Sequence, residues 1–267
     1  RSVMLARTSP SNGRSVREGV GEPDLFGHPR QLWMLLTVTL AVTFAFYGFR
    51  AYLAPYVSQV FYAGVGAAAA EQRADLLTSG FFALMYATPI VGGYVADHIL
   101  GELRSLLLAL WLGVASLALM SSTHLFVFEL GMALYALSAG LGVSLTVLIG
   151  RNYPESDARR EGGYTLYYLA VALGSFIAPI VCADWVGGRF GYRWGFVAAA
   201  VGMAIAAVTF QMRHRKMRSF LARPEPRGAK AVVAVIAVIL VLLYPTAVLL
   251  SKPQVLSDSM YALMLVL

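Results

Sequence analysis

Gly92-Gly93-Tyr94-Val95-Ala96-Asp97-His98-Ile99-Leu100-Gly101-Glu102-Leu103-Arg104 is the stretch that decides the fold. It is a short charged hairpin, with Gly and Asp at fixed offsets, held between two long apolar runs. Paired glycines let helix backbones approach closely, which is how helices find one another in lipid. Asp97 and Arg104 place charge where the chain leaves one apolar run and enters the next. A soluble domain has no use for that arrangement, whereas two membrane helices joined by a tight turn require it.

The flanking sequence agrees. Hydrophobic residues make up 58% of the chain and charged residues 13%, with mean hydropathy +0.68. Soluble domains are typically about a quarter charged. A membrane span needs roughly 20 apolar residues, and six runs of that kind occupy 31–60, 76–96, 105–123, 125–149, 164–183 and 194–212. A seventh covers 231–251, and another begins near Asp258. The chain starts at Arg1 and the last run stops at Leu267, so we expect a piece of a longer polypeptide.

The net charge of +7 is distributed as a topology signal and not as a nucleic-acid surface. Lys and Arg concentrate in 1–30, at Arg104, in 151–160 and in 213–230, while the alternate loops hold Arg73, Arg189, Arg193 and Lys252. Basic loops stay on the cytoplasmic side, which predicts a cytoplasmic N-terminus. Residues 1–30 carry no apolar core before His28-Pro29 and read as a cytoplasmic tail, not a signal peptide. The linker at 213–230 is basic, and its Pro224-Glu225-Pro226 favours an extended connector. Trp33, Trp111, Trp185 and Trp194 read as interface anchors near span ends.

Chemistry of other kinds finds little support. Cys182 is the only cysteine, which leaves neither a disulfide nor a thiolate metal site. His28, His98, His124 and His214 pair with no carboxylate at ligand spacing, so no metal and no cofactor are expected. Ser138-Ala139-Gly140-Leu141-Gly142 follows no strand and reads as helix packing, not a phosphate loop. No nucleophile–base pair or paired carboxylates appear, and an enzyme is not expected.

The charged hairpin resembles the gating loop of the major facilitator superfamily, with Gly93, Asp97, Gly101 and Arg104 as the gating residues. Further motifs resemble the proton-dependent oligopeptide transporter family. Asp24-Leu25-Phe26-Gly27-His28-Pro29 is similar to its opening before helix one, and Phe44-Ala45-Phe46-Tyr47-Gly48-Phe49-Arg50-Ala51 to the second part of its first-helix motif. Tyr86-Ala87-Thr88-Pro89 with Gly92-Gly93 and Ala96-Asp97 is similar to its second helix. Gly150, Tyr153-Pro154 and Tyr164 through Pro179 are similar to the end of its fourth helix and to its fifth.

The resemblance implies an all-α integral membrane fold: the six-helix N-terminal half of a facilitator (31–212), a basic linker (213–230) and the start of an inserted helix pair (231–267). It implies alternating access by a carrier of di- or tripeptides or peptide-like solutes in a bacterial inner membrane. Its partners would be the lipid bilayer, protons and the C-terminal half of the same carrier. Arg50 would contact the peptide carboxylate, with Tyr47, Phe46, Tyr86 and Tyr168 lining the same cavity.

The departures bear on coupling. The family's Glu-x-x-Glu-Arg positions are Thr39, Val42 and Thr43 here, its helix-four Lys is Gly142, and its helix-five Asn is Ala172. Proton coupling is therefore expected to be weakened or altered, with Glu129 or Asp184 as a stand-in relay, though each sits within a turn or two of a loop and also reads as an interfacial acid. The alternative is a transport-inactive membrane subunit or sensor, and engineered replacement would give the same residues. Arg50 itself sits about eighteen residues into the first run. A mid-membrane Arg costs roughly 3 kcal/mol on insertion scales, so it faces a cavity or snorkels to the interface.

Overall fold

The structure is a computed structural model that describes residues 25–142, 144–153, 156–218 and 229–252. The tail before residue 25, the Pro224–Pro226 connector and the run from Asp258 lie outside the described residues. Ten α-helices are present among them: α1 (Arg30–Arg50), α2 (Leu53–Phe61), α3 (Ala67–Val95), α4 (Glu102–Met120), α5 (Leu125–Leu141), α6 (Ser144–Gly150), α7 (Arg159–Ala178), α8 (Gly188–Phe190), α9 (Tyr192–Arg218) and α10 (Ala229–Ser251). With their extensions they give seven helices long and apolar enough to cross a membrane. The architecture is that of an all-α membrane protein. In lipid every backbone N–H must be satisfied within its own segment, and helices do this.

Interruptions fall where the sequence supplies a cause. The first run breaks at Tyr52, whose φ of −125° and ψ of 9° lie outside the helix, and α2 restarts with Pro55 in its first turn, where amides lack partners anyway. α3 continues as a π-helical turn, Ala96–Leu100, closed by Gly101 at φ +81°, a conformation that favours glycine. The Gly101 N–H donates to the Ala96 carbonyl at 2.9 Å. A second π-helical segment, Pro179–Gly187, extends α7 and starts at the proline.

The six bundle helices contact one another in the order α3, α5, α4, α9, α1, α7. The bundle stays open between α3 and α7, and α10 lies outside it against α5. One end carries Arg30, Arg104, Arg151, Arg159, Arg213 and Lys230 and is called the basic end below. Toward the other end the helices are held by aromatic rings: Phe49 meets Tyr135 at 5.0 Å, Phe81 at 6.2 Å and Phe196 at 6.3 Å, and Phe128 meets Phe196 at 5.7 Å. Trp111 departs from its expected interfacial place. It lies midway along α4, where its indole N–H donates to Gln211 Oε1 of α9 at 2.7 Å.

α3 and α5 cross with glycine backbones in contact. A Cβ on Gly92 would overlap the backbone of Gly140, and one on Gly140 would stand 2.7 Å from the Thr88 carbonyl oxygen. Thr88 then donates its hydroxyl to the Ala136 carbonyl at 2.7 Å. Both pairs keep an offset of 48 residues, so the two helices run parallel in fixed register. Overpacking a tight contact costs about 1–3 kcal/mol. Gly92→Ala and Gly140→Ala are each expected to lower the thermal unfolding midpoint in detergent, whereas Gly93→Ala, whose Cβ would meet nothing within 4 Å, should leave it unchanged.

Candidate functional site

A cavity of about 450 Å³ opens among the bundle helices. α1 lines it with Val42, Thr43, Phe46 and Tyr47, one face of a helix at i, i+1, i+4 and i+5. α3 adds Met85, Tyr86 and Pro89. Pro89 has no N–H, so the Met85 carbonyl loses its helical partner, and the Thr88 hydroxyl lies 3.2 Å from it. α5 contributes Tyr135, Ser138 and Gly142, and α7 contributes Tyr167 and Val171.

Three of the four positions where the sequence departs in its first and fourth spans therefore meet in one cavity: Val42, Thr43 and Gly142. Thr39 does not. It is 2% exposed and its hydroxyl donates to the Leu35 carbonyl of its own helix at 2.8 Å.

Arg50 is the last residue of α1 and is exposed. Its guanidinium carbon sits 5.1 Å from the Phe82 ring centre, 5.6 Å from Phe46 and 5.7 Å from Tyr47. Rings at that range attract a cation electrostatically. Phe46 and Tyr47 are shared with the cavity wall, so Arg50 stands beside that wall, one helical turn further along α1. No carboxylate among the described residues pairs with Arg50.

Tyr86 lines the cavity and is 65% exposed on the open side of the bundle. Tyr168 is 67% exposed and lies outside the cavity wall, its ring 5.2 Å from that of Tyr167, which is the α7 tyrosine in the wall. The sequence offered Tyr164, Tyr167 and Tyr168 on one helix, and only the rotation of α7 about its axis separates them. Tyr135 and Ser138 went unnoticed because α5 is apolar almost all round and its periodicity does not single out one face.

At the basic end, Gly93 leaves open space beside α3, Asp97 is exposed in the π-helical turn, Gly101 terminates that turn, and Arg104 is partly buried in the first turn of α4. Tyr86, Ile90, Tyr94 and Asp97 form one exposed stripe along α3 at spacings of four, four and three. Glu102 pairs with Arg151 at the end of α6, with side-chain exposures of 9% and 31%. Close by, His28 Nδ1 and the Tyr153 hydroxyl are 2.6 Å apart, and Arg159 donates to the Gly27 carbonyl at 3.1 Å. Hydrogen bonds from Arg159 hold the Asp157 carboxyl below the usual range.

Glu129 is 3% exposed and takes no part in the cavity. The 48-residue offset places Phe81 level with it on α3, and it makes no hydrogen bond or ion pair among the described residues. Nearer the end away from the basic loops, the Arg73 guanidinium lies 5.7 Å from the Tyr62 ring. Burial, then the neighbouring Glu129, raise the Tyr62 phenol above its ordinary value, and Arg73 opposes them. Among the described residues, no three His, Cys, Asp or Glu side chains gather as a metal site.

Comparison with known proteins adds the context. A family profile described as the POT family matches residues 105–262. The chain is 33% identical over 197 residues to the peptide transporter YePEPT of Yersinia enterocolitica, covering 72% of this chain and 38% of that protein. It is 28% identical over 220 residues to the dipeptide and tripeptide permease A of Serratia proteamaculans, covering 81% and 42%. A crystal structure of a peptide transporter POT in complex with sulfate superposes with TM-score 0.72 at 28% identity, covering 87% of this chain and 48% of that one. The chain thus spans about half the length, or less, of these relatives.

The Glu102–Arg151 pair joins α4 to α6, and contacting charges couple by about 0.5–3 kcal/mol. A double-mutant cycle of Glu102→Gln and Arg151→Gln on unfolding stability should return a coupling within that range. A cycle that closes to zero would show the two side chains to be independent.

Proposed function

Because the chain belongs to the POT family, we propose that it is the N-terminal half of a carrier for small peptides or peptide-like carboxylates, working by alternating access in a bacterial inner membrane. The bundle at 31–212 would rock against a second half, with 213–230 as linker and 231–267 as part of an inserted hairpin. The basic end faces the cytoplasm. Such carriers hold their substrate near mid-membrane between two halves, and the open gap between α3 and α7 exposes Tyr86 and Tyr168 to that space.

The observation that carries this reading is Arg50, a guanidinium held by three rings, two of them in the cavity wall, with no carboxylate partner among the described residues. A fork of five donors that lacks an anion among the described residues is matched by a solute carboxylate taken in bidentate fashion. Tyr47 and Tyr86 offer hydroxyls beside it and Phe46 offers a ring face. On the basic end, the exposed α3 stripe ending at Asp97 is the surface a second half would close on. Gly93, Gly101 and Arg104 set the geometry of that closure.

Proton coupling is weakened in this reading. Val42, Thr43 and Gly142 carry no ionisable group, so the cavity wall offers no proton-carrying side chain at these three positions. Glu129, buried in α5, is the carboxyl this reading offers as a stand-in relay.

Uptake of labelled dialanine into proteoliposomes, by the full carrier with and without an inward proton gradient, tests the whole reading. The expected result is saturable uptake whose rate changes less than about twofold with the gradient. Accumulation driven strongly by the gradient would overturn the weakened coupling, and absence of uptake or binding by intact protein would favour the subunit or sensor role. Arg50→Ala should lower affinity for dialanine by at least tenfold, and Arg50→Lys by less, because a single ammonium keeps charge but not the fork. Unchanged affinity in Arg50→Ala would remove Arg50 from the site.

A further inference from the structure

A larger hollow, of about 720 Å³, lies outside the bundle between α10 and the α3–α5 pair. α3 lines it with Val91, Val95 and Ile99 at intervals of four, and the Gly92 crossing contributes to its floor. α10 gives the opposite wall, from Lys230 to Leu242. Val91, Val238 and Leu242 are exposed, so the hollow is an open groove. Two polar side chains occur in its wall among the described residues. The Thr88 hydroxyl is already donated to the Ala136 carbonyl. Lys230 has no carboxylate partner among the described residues. It stands in the first turn of α10, at the basic end. Toward the other end of that helix the Tyr244 ring lies 6.4 Å from Phe126, in the first turn of α5. α10 therefore runs antiparallel to α5, and Leu242 lies twelve residues beyond Lys230, a rise of about 18 Å. One leaflet of a hydrocarbon core is roughly 15 Å deep, so the groove spans little more than the leaflet at the basic end.

We propose that this groove binds one anionic phospholipid of that leaflet, with its phosphate on the Lys230 ammonium and one acyl chain along Val91, Val95 and Val238. Any lipid can lay a chain against those side chains, and the lysine selects the headgroup. An ammonium is a compact point charge that binds phosphate. Basic pockets between membrane helices bind acidic headgroups in this way. A zwitterionic lipid brings its own cation to the same place and gains less. The chain fills the space between α10 and the Gly92 crossing, and so braces the outlying helix against the α3–α5 pair. The groove shares no lining residue with the cavity beside Arg50, so lipid binding is independent of which solute the carrier takes and of whether it transports one.

Photolabelling of the full carrier in phosphatidylcholine vesicles tests the site. The probes are phosphatidylglycerol and phosphatidylcholine, each with a photoreactive group midway along one acyl chain. Adducts mapped by peptide mass spectrometry are expected within 91–99 and 230–242. The phosphatidylglycerol probe should label these segments about fivefold more, which is what one lysine near an anionic headgroup supplies. Lys230→Gln should bring that preference to about one, and Lys230→Arg should keep it. Val238→Trp fills the groove and should abolish the adducts with either probe. Lys230→Gln alters no apolar packing, so a Val238→Trp protein that fails to fold leaves the test standing. A preference that survives Lys230→Gln would belong to the basic residues at 213–218 and would overturn the site. Absence of adducts from both segments in folded wild-type protein would show the groove covered by another part of the carrier, and would overturn it as well.

Discussion

The bare crossing of α3 and α5 is the contact on which the rest of the half depends. Lipid tails are as apolar as leucine, so burying apolar surface gives helices little reason to associate, and close backbone contact has to supply it. Gly92 and Gly140 remove the side chains, and the Thr88 hydroxyl bridges to the Ala136 carbonyl across the gap. That crossing sets the register of the two helices, and register sets what faces the interior. Met85, Tyr86 and Pro89 of α3 and Tyr135 and Ser138 of α5 arrive at the same cavity because the crossing sits one turn away from them.

The two ends of the bundle are held differently. Toward one end rings interlock around Phe49 and Phe196, an apolar seal whose pieces come from α1, α3, α5 and α9. At the basic end, by contrast, the contacts are polar and short-ranged: Glu102 with Arg151, His28 with Tyr153, Arg159 with Gly27. Dispersion contacts among rings are many and individually weak, whereas a charge pair is made or lost as a unit.

Much of the fold was legible because membrane spans announce themselves by length and hydropathy, and the apolar runs correspond to the membrane-length helices. The break at Ala51–Tyr52 was not legible, since α1 and α2 read as one continuous apolar run. For the cavity, the sequence showed that positions 42, 43 and 142 carry Val, Thr and Gly. It did not show that they face one space, because α1 and α5 bury nearly all sides and periodicity carries little information on such helices. Tyr167 and Tyr168 differ by about 100° of helical rotation, and only packing against α1 decides which enters the wall. Glu102 was hidden in plain view, an acid in a first helical turn whose partner lies far along the chain.

The π-helical segments at Ala96–Leu100 and Pro179–Gly187 are places where this chain would tolerate a change in length. Each widened turn holds one residue more than an α-helix would, and one residue turns everything beyond it by about 100°. Descendants of this sequence can gain or lose single residues there while the rest of the bundle keeps its alignment. Comparisons among distant members should therefore be anchored separately on either side of these two places.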